Sequence, residues 1–246
     1  INRAGDGGLW PEMIYNMGFE EKNIPSTSYI ENGEVVAPKK PSYATGRINN
    51  FIFYGFNPNN VTEGWNLENK GNSESGMEVV TDNPLNKANP HSLLLKINVN
   101  DGGVNLINEG FRGIFLVNGE KYDFQFFLRA DKSYNGKVVA LLMGKTGDAI
   151  YSQEYDVNNS GTWTNYKSVI TSDVTDNAVK LVLQFTSTGK VWIDYVSLLP
   201  ETTFKGHGLR QDIAQILADL KPSFIRWPGG CIVEGFTMEN RVNWKE

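Results

Sequence analysis

The chain has 246 residues, of which 40% are hydrophobic and 12% aromatic, and its formal net charge is −5 at pH 7. Such a chain can bury one good core and part of a second. The acidic balance argues against nucleic-acid and anionic-membrane partners, which require a basic face, and favours a neutral ligand. No apolar stretch reaches the roughly 18 residues of a membrane-spanning helix. A single cysteine, Cys231, cannot form an internal disulfide.

The first predicted element is a short amphipathic helix over residues 9–17. Pro11 stands near its start, where a helix tolerates proline. The chain begins at Ile1 with neither an initiator Met nor a signal sequence, which favours a fragment of a longer protein. Four apolar residues have the spacing of one helical face: Trp10, Met13, Ile14 and Met17.

Residues 21–62 form the next region, which is rich in Pro, Asn, Gly and Ser. It is too long for an ordinary connection, and two interpretations stay open: a functional loop or a partly ordered cover. Trp65, which follows closely, is predicted to be exposed.

Apart from that region, the hydrophobic period is two from about residue 16 to residue 199, which is typical of half-buried strands. Turn signals such as Asp101-Gly102-Gly103 separate these segments. Short strands at this spacing predict a sandwich or a barrel. Seven strands are predicted, at residues 93–99, 104–107, 122–131, 138–143, 163–170, 179–186 and 191–198.

After Pro200 the period becomes helical again. A helix is predicted up to Lys221-Pro222, where proline stops it, followed by a short strand over residues 223–227. One apolar stripe defines the helix: Leu209, Ile213, Ile216, Leu217 and Leu220. The Pro228-Gly229-Gly230 turn allows a sharp bend and a close approach to a ligand at the end of the strand.

The two ends of the chain carry a family resemblance. Residues 1–13 and 203–244, including the Arg-Trp-Pro-Gly-Gly-Cys motif of residues 226–231, resemble α-L-arabinofuranosidases of glycoside hydrolase family 51. Between them, residues 16–20 (Asn-Met-Gly-Phe-Glu) and 191–198 resemble the first and last strands of a family 4/9 carbohydrate-binding module, which is a jelly roll. Some family 51 enzymes carry such a module inserted early in the barrel.

The resemblance implies a mainly β chain, in which a jelly-roll β-sandwich is inserted into the beginning of a (β/α)8 barrel. Only the first barrel elements are then present. Residues 1–17 would start the catalytic barrel with a loop and the first helix, and residues 18–200 would form the sandwich. Residues 201–246 would supply a barrel helix and the second strand with its Pro-Gly-Gly turn.

The implied chemistry is hydrolysis, with retention, of arabinofuranosyl side chains of plant polysaccharides. It needs two carboxyl groups about 5–5.5 Å apart and no catalytic cofactor. Both family glutamates lie on later barrel strands, so we expect no catalytic residue here and an inactive chain. Asn108-Glu109 matches the Asn-Glu pair of the acid/base, but it follows a sandwich strand and is interpreted as a structural turn.

Two sets of residues are candidates for sugar binding. The turn of Gly229, Gly230 and Cys231 resembles a sugar-contacting loop, the alternative being a plain chain reversal. A sugar also binds to an aromatic ring flanked by amide and charged groups. The sandwich offers such groups on its polar strand positions: Gln125, Phe127, Arg129 and Gln184. The alternative is that the sandwich is only a scaffold.

The resemblance also suggests a structural calcium ion, held by Glu20 and Asp194 together with backbone carbonyls. The alternative is that these carboxylates cap strands or form surface pairs. His91, at a strand start, and His207, before the helix, are not expected to bind metal. Cys231 has no partner pattern for a nucleophile.

Three functions therefore remain open. The chain is part of an arabinofuranosidase, an autonomous module that binds xylan or arabinoxylan, or a structural insert that binds nothing. The expected partners are a neutral polysaccharide or oligosaccharide and the remaining catalytic-barrel segment. An extracytoplasmic or secreted location fits the family.

Overall fold

The computed structural model describes residues 8–20, 29–31, 34–36, 62 and 64–224. The first of two compact units contains the described residues 8–20, 62 and 64–219, and the second contains the others. In the second unit, strands β1 (Tyr29–Glu31) and β2 (Glu34–Val36) pair in antiparallel fashion. The predicted turn of Gly229, Gly230 and Cys231 lies outside the described residues.

The first unit is a sandwich of two antiparallel sheets. Its strands are β3 (Trp65–Asn69), β4 (Glu74–Val80), β5 (Ser92–Val99), β6 (Val104–Asn108), β7 (Ile114–Leu116), β8 (Lys121–Ala130), β9 (Lys137–Met143), β10 (Ala149–Asp156), β11 (Thr164–Thr171), β12 (Asp176–Phe185) and β13 (Gly189–Pro200). One sheet has the order β10-β9-β12-β6-β3, with β7 also paired to β12, and the other has the order β11-β8-β13-β5-β4. The mainly β fold predicted from the sequence is confirmed.

The core lies between the two sheets and explains the period of two. On β8, Phe124, Phe126 and Leu128 are at most 1% exposed. On β12 of the facing sheet, Leu183 and Phe185 are buried in the same cluster. Each such side chain contributes about 1.5–3 kcal/mol when it leaves water. Alternate residues on both strands therefore lie on the outer faces.

The prediction that Trp65 is exposed was wrong, because this ring is 2% exposed. It stands at the start of β3 and packs against Phe19, with ring centroids 5.5 Å apart. Its indole Nε1 donates a hydrogen bond of 3.0 Å to the carbonyl oxygen of Asn16. Burial of a large ring and satisfaction of its polar N–H place it in the core.

The prediction of a helix over residues 9–17 was also wrong, since residues 9–19 form bends and turns. They run beside β13: the Met13 amide donates to the Leu198 carbonyl (3.1 Å) and the Val196 amide to the Met17 carbonyl (2.9 Å). The pairing of β5 with β13 ends at Ile193, which leaves this part of the β13 edge to the N-terminal segment. Pairing with the sheet therefore outweighed the helical spacing.

Two buried polar side chains fix this segment. The Glu12 carboxylate is 2% exposed and accepts from the amides of Met13 and Ile14 (3.0 Å each), the Leu198 amide (2.9 Å) and the Ser197 hydroxyl (2.6 Å). Its pKa is raised by burial, against the effect of these hydrogen bonds. The hydrogen bonds from Ser197 and Leu198 of β13 to Glu12 thus join the N-terminal segment to the last strand.

Asn108 makes a second connection to the same segment. Its side chain accepts from the Tyr15 amide (3.3 Å) and donates to the Tyr15 carbonyl (2.9 Å). The neighbouring Glu109 is exposed and its carboxylate lies 2.6 Å from the Lys180 ammonium group. The Asn-Glu pair thus has structural contacts, as the sequence predicted.

After β13 the chain makes a 3-10 turn at Phe204–Gly206 and then forms helix α1 (Gln211–Asp219). This confirms the predicted helix. The Arg210 amide donates to the Leu9 carbonyl at 2.9 Å, so the helix start lies beside the chain start. Ser223 and Phe224 are not in a strand, and the rest of the predicted strand lies outside the described residues. No helix among the residues described is long and apolar enough to cross a bilayer.

Candidate functional site

The predicted sugar-binding residues of β8 lie on the outer face of the five-stranded sheet. Gln125 and Phe127 are partly exposed there, because the residues between them fill the core. Phe127 stands opposite Asn165 of β11 on one side and Asp194 of β13 on the other. A predicted sugar platform and a predicted metal ligand are therefore direct neighbours.

A β-bulge in β13 adds a second aromatic ring that the sequence analysis missed. The pairing register of β13 with β8 shifts between Asp194 and Ser197. Within the bulge, Tyr195 has φ 47° and its side chain is 37% exposed. Its ring centroid lies 6.2 Å from that of Phe127, edge to face. A positive φ at a bulky residue costs free energy and is found where a bulge turns a side chain towards a function.

Amide groups border these rings. The Asn165 side chain donates to Gln125 Oε1 at 3.4 Å, while its own Oδ1 is buried without a hydrogen-bond partner. An unpaired buried acceptor costs about 1–3 kcal/mol unless a donor reaches it. The sugar patch, defined as Gln125, Phe127, Asn165 and Tyr195, thus combines apolar rings with hydrogen-bonding amides.

Arg129 lies on the same face of β8, but its guanidinium is already engaged. It is 8% exposed and stacks 3.9 Å from the ring centroid of Trp192, with Trp163 at 5.5 Å. Its Nη2 donates to the carboxylate (2.9 Å) and the carbonyl (3.0 Å) of Asp82, and its buried Nε lacks a hydrogen-bond partner. Little of this group is left for a ligand.

The same tryptophans hold the loop that joins β4 to β5. Trp192 Nε1 donates to Asp82 Oδ1 at 3.2 Å, and Trp163 Nε1 donates to the Asn83 carbonyl at 2.9 Å. Since Arg129 of β8, Trp192 of β13 and Trp163, which directly precedes β11, converge on two loop residues, we define Arg129, Trp163, Trp192 and Asp82 as the arginine cluster. Its contacts position residues 81–91 over the sheet.

Gln184 lies apart from the other candidates. It belongs to β12, where it stands opposite Asn105 and Val139 in the six-stranded sheet. Its neighbours Leu183 and Phe185 face the core, so Gln184 is on the outer face of that sheet. One small sugar therefore cannot contact both Gln184 and Phe127. The residues predicted to bind sugar lie on the outer faces of two different sheets.

The predicted metal ligands form a compact acidic site beside the sugar patch. Asp194 is 4% exposed and accepts one hydrogen bond, of 2.7 Å, from the Tyr195 amide. Burial, and then the nearby Glu20, raise the pKa of Asp194 to about 7. Glu20 accepts from the His91 amide (3.0 Å) and lies 2.6 Å from His91 Nδ1.

Oxygen chemistry at this site fits a hard cation. The hydroxyl of Ser92 is buried without a hydrogen-bond partner. The residue after it, Leu93, pairs with Ile193, the residue before Asp194. Two carboxylates and an unpaired hydroxyl are donors of the type that calcium prefers. Within the described ranges, no three His, Cys, Asp or Glu side chains form a metal-binding group, so carbonyl oxygens would have to complete the shell.

Comparison with known proteins adds to this geometry. The family model "Alpha-L-arabinofuranosidase 1 domain" matches residues 216–246. Alpha-L-arabinofuranosidase 2 of Arabidopsis thaliana is 31% identical over 258 residues, covering 100% of this chain and 32% of the relative. An extracellular exo-alpha-L-arabinofuranosidase of Streptomyces chartreusis is 28% identical, covering 98% of this chain and 24% of the relative.

The fold itself has a solved counterpart. The arabinose-bound MgGH51 α-L-arabinofuranosidase superimposes with a TM-score of 0.73 and 24% identity, covering 100% of this chain and 35% of that one. The fold of this chain therefore occurs within a longer solved protein. The resemblance to family 51 α-L-arabinofuranosidases is confirmed, and the chain spans about a third of the length of the Arabidopsis relative.

Proposed function

We propose that this chain is the N-terminal part of a retaining α-L-arabinofuranosidase that hydrolyses arabinofuranosyl side chains of plant polysaccharides. The observation that carries the proposal is the similarity over the whole chain to arabinofuranosidases, joined to the family match at residues 216–246. The remaining catalytic-barrel segment would supply both glutamates. The turn of Gly229, Gly230 and Cys231 would line the active-site floor.

An aryl α-L-arabinofuranoside tests the proposal. We expect no hydrolysis by the chain alone, because retention needs a nucleophile and an acid about 5–5.5 Å apart. The same chain joined to the rest of the Arabidopsis relative should hydrolyse it. NMR should show that the arabinose first released has the same α anomeric configuration as the substrate. Hydrolysis by the isolated chain would contradict the proposal that both catalytic glutamates lie in the remaining barrel segment.

We also propose that the sugar patch binds a neutral polysaccharide such as xylan or arabinoxylan. The support is physical: Phe127 and Tyr195 offer apolar ring faces, and Gln125 and Asn165 offer amides for hydroxyl groups. The sandwich is either a module that binds sugar or an insert that binds nothing. The sugar patch favours the module that binds sugar.

Retention in native gels that contain arabinoxylan separates these alternatives. Phe127→Ala should lose retention, because the ring that stacks on the sugar is removed. Gln184→Ala is the matched control on the opposite sheet and should migrate like the unaltered chain. If the unaltered chain migrates equally in gels with and without polysaccharide, the structural insert is the correct interpretation.

For the acidic site we propose a structural calcium ion bound by Glu20 and Asp194. A bound cation would offset the cost of burying Asp194 as a carboxylate. Its effect would be on stability, since it would join the N-terminal segment to β13. An extracytoplasmic location is the matching proposal for the whole protein, because its polysaccharide substrate lies outside cells.

A further inference from the structure

The outer face of the five-stranded sheet, which carries the sugar patch, differs in accessibility from one end to the other. Four outward residues of β8 follow one another along it: Arg129, Phe127, Gln125 and Asp123. Arg129 is 8% exposed, whereas Phe127 and Gln125 are partly exposed. Asp123 is exposed. Accessibility therefore rises along β8 from the arginine cluster towards Asp123.

The loop between β4 and β5 covers one end of this face. Trp192 of β13 and Leu94 of β5 continue the level of Arg129 across the sheet, and they are only 9% and 7% exposed. Asp82 and Asn83 of the loop accept hydrogen bonds from the guanidinium and from both indole groups of the arginine cluster. The loop is therefore fixed directly beside the level of Phe127, the next outward residue of β8.

The side of the sugar patch that adjoins β13 is closed as well. Ser197 of β13 stands opposite Gln125, and it is only 1% exposed. Its hydroxyl donates a hydrogen bond of 2.6 Å to the buried carboxylate of Glu12 in the N-terminal segment. A bound chain therefore cannot leave the patch across β13 at this level.

The opposite side, over β11, is open among the residues that the structure describes. This strand is the last one of its sheet, and its residues opposite Gln125 and Asp123 are Lys167 and Val169. Lys167 is exposed, and Val169 is 60% exposed. From Phe127 to Asp123 the strand rises about 13 Å, which is room for about two further sugar rings.

A glycan that binds through internal units needs a surface that is open on both sides of the stacked ring, because its chain continues in both directions. Here the loop blocks one of these directions. We propose that the sugar patch binds the terminal unit of a neutral glycan chain or branch. The terminal ring stacks on Phe127 and Tyr195, and the chain leaves over Gln125 and Lys167. This proposal rests on the proposed binding of sugar by the patch and adds the class of ligand to it.

Calorimetry with linear oligosaccharides of increasing length tests the proposal on the unaltered chain. The probes are neutral xylo-oligosaccharides and arabino-oligosaccharides of two, three and six units. Because about 13 Å of open surface follows Phe127, affinity should rise from the disaccharide to the trisaccharide and then stay within about threefold up to the hexasaccharide. A larger rise between three and six units would overturn the proposal, since it requires contacts on both sides of the stacked ring.

Two exposed lysines on the same face of the sheet give a matched pair of variants. Lys167 lies on the open side, whereas Lys190 lies on β13 beyond the arginine cluster. Lys167→Ala should weaken binding of the trisaccharide about fivefold, because it removes a hydrogen-bond donor from the path of the chain. Lys190→Ala should bind like the unaltered chain. Unchanged affinity in Lys167→Ala, or weaker binding in Lys190→Ala, would contradict the proposed direction of the chain.

The length series also separates this proposal from the proposed binding of sugar. Affinity that continues to increase up to six units would retain the sugar patch and reject recognition of a chain end. Binding of neither series at any length would reject the sugar patch and, with it, recognition of a chain end. Where the trisaccharide binds as tightly as the hexasaccharide, borohydride reduction identifies the terminus. Loss of binding after reduction assigns the reducing end, and unchanged binding assigns the non-reducing end.

Discussion

Phe127 and Arg129 lie two residues apart on the same face of β8, but their surroundings differ. In the arginine cluster, the guanidinium is stacked on Trp192 and bonded to Asp82. In the sugar patch, Asn165 keeps an unpaired acceptor and Tyr195 keeps a strained backbone. Arg129 is 8% exposed, whereas Phe127 and Tyr195 are partly exposed, so accessibility, more than residue type, distinguishes the structural contact from the candidate binding surface.

The largest expected effect concerns Asp194, next to the sugar patch. Well below pH 3.8 its carboxyl is protonated in both the folded and the unfolded state and contributes no difference in stability. Between pH 3.8 and about 7 the unfolded chain loses this proton while the folded chain keeps it, so the free energy of unfolding falls as pH rises. Above that range the loss is constant, at about 4 kcal/mol.

Asp194→Asn should remove this pH dependence. In the presence of chelator, the variant should become more stable than the unaltered chain by a few kcal/mol at pH 7.5 and match it near pH 3.5. Urea denaturation at several pH values measures the difference. An unchanged slope between pH 4 and 7 would show that Asp194 is not buried as described.

Arg129→Ala should destabilise the chain by about 3 kcal/mol, since it removes a buried side chain that stacks on Trp192 and makes charge-assisted hydrogen bonds to Asp82. Retention on arabinoxylan at a temperature well below unfolding should stay the same. Urea denaturation and native gels give the two readouts. Lost retention with unchanged stability would move Arg129 from the structural cluster into the binding surface.

Calcium should stabilise the unaltered chain by about 2–3 kcal/mol at a hundredfold excess over its dissociation constant. It should also cancel the pH dependence described above, because the cation favours ionised Asp194. Melting with calcium and with chelator measures this, and Asp194→Asn is the matched control that should not respond. Equal melting of the unaltered chain in both buffers would remove the calcium proposal.

Tyr195→Gly has the smallest expected effect on stability. Relief of the positive φ should offset the lost ring packing, leaving the unfolding free energy within about 1 kcal/mol of the original. Sugar retention should nevertheless weaken about tenfold, which is about 1.4 kcal/mol of binding free energy. Tyr195→Gly should thus lose sugar retention and keep stability, whereas Arg129→Ala should lose stability and keep retention. A large loss of stability with intact retention in Tyr195→Gly would contradict the difference between the sugar patch and the arginine cluster.

The sequence predicted the elements that follow from periodicity. The alternation on β8 and β12 predicted the strands and their core faces, and the stripe of Ile213 and Ile216 predicted α1. The prediction of a helix over residues 9–17 was wrong, because this segment pairs with β13 and places apolar side chains in the core. Spacing alone cannot distinguish these uses of the same side chains.

The site was predictable only in part. Phe127 and Asp194 were each named from residue type and resemblance, but their direct pairing depends on the register of β8 and β13. The exposure of Tyr195 depends on a β-bulge, which an alternating sequence pattern does not reveal. The hydrogen bonds of Arg129 depend on a loop that is more than 40 residues away in sequence. Long-range pairing is what a single sequence does not specify.

Titration of the ¹⁵N-labelled chain with a xylan or arabinoxylan oligosaccharide tests the central claim most directly, by locating the contacted face. We predict amide shift changes centred on Gln125–Phe127, Asn165 and Asp194–Tyr195, with little change near Gln184. Shift changes centred on Gln184 and Asn105 of the opposite sheet, or none at saturating oligosaccharide, would contradict it.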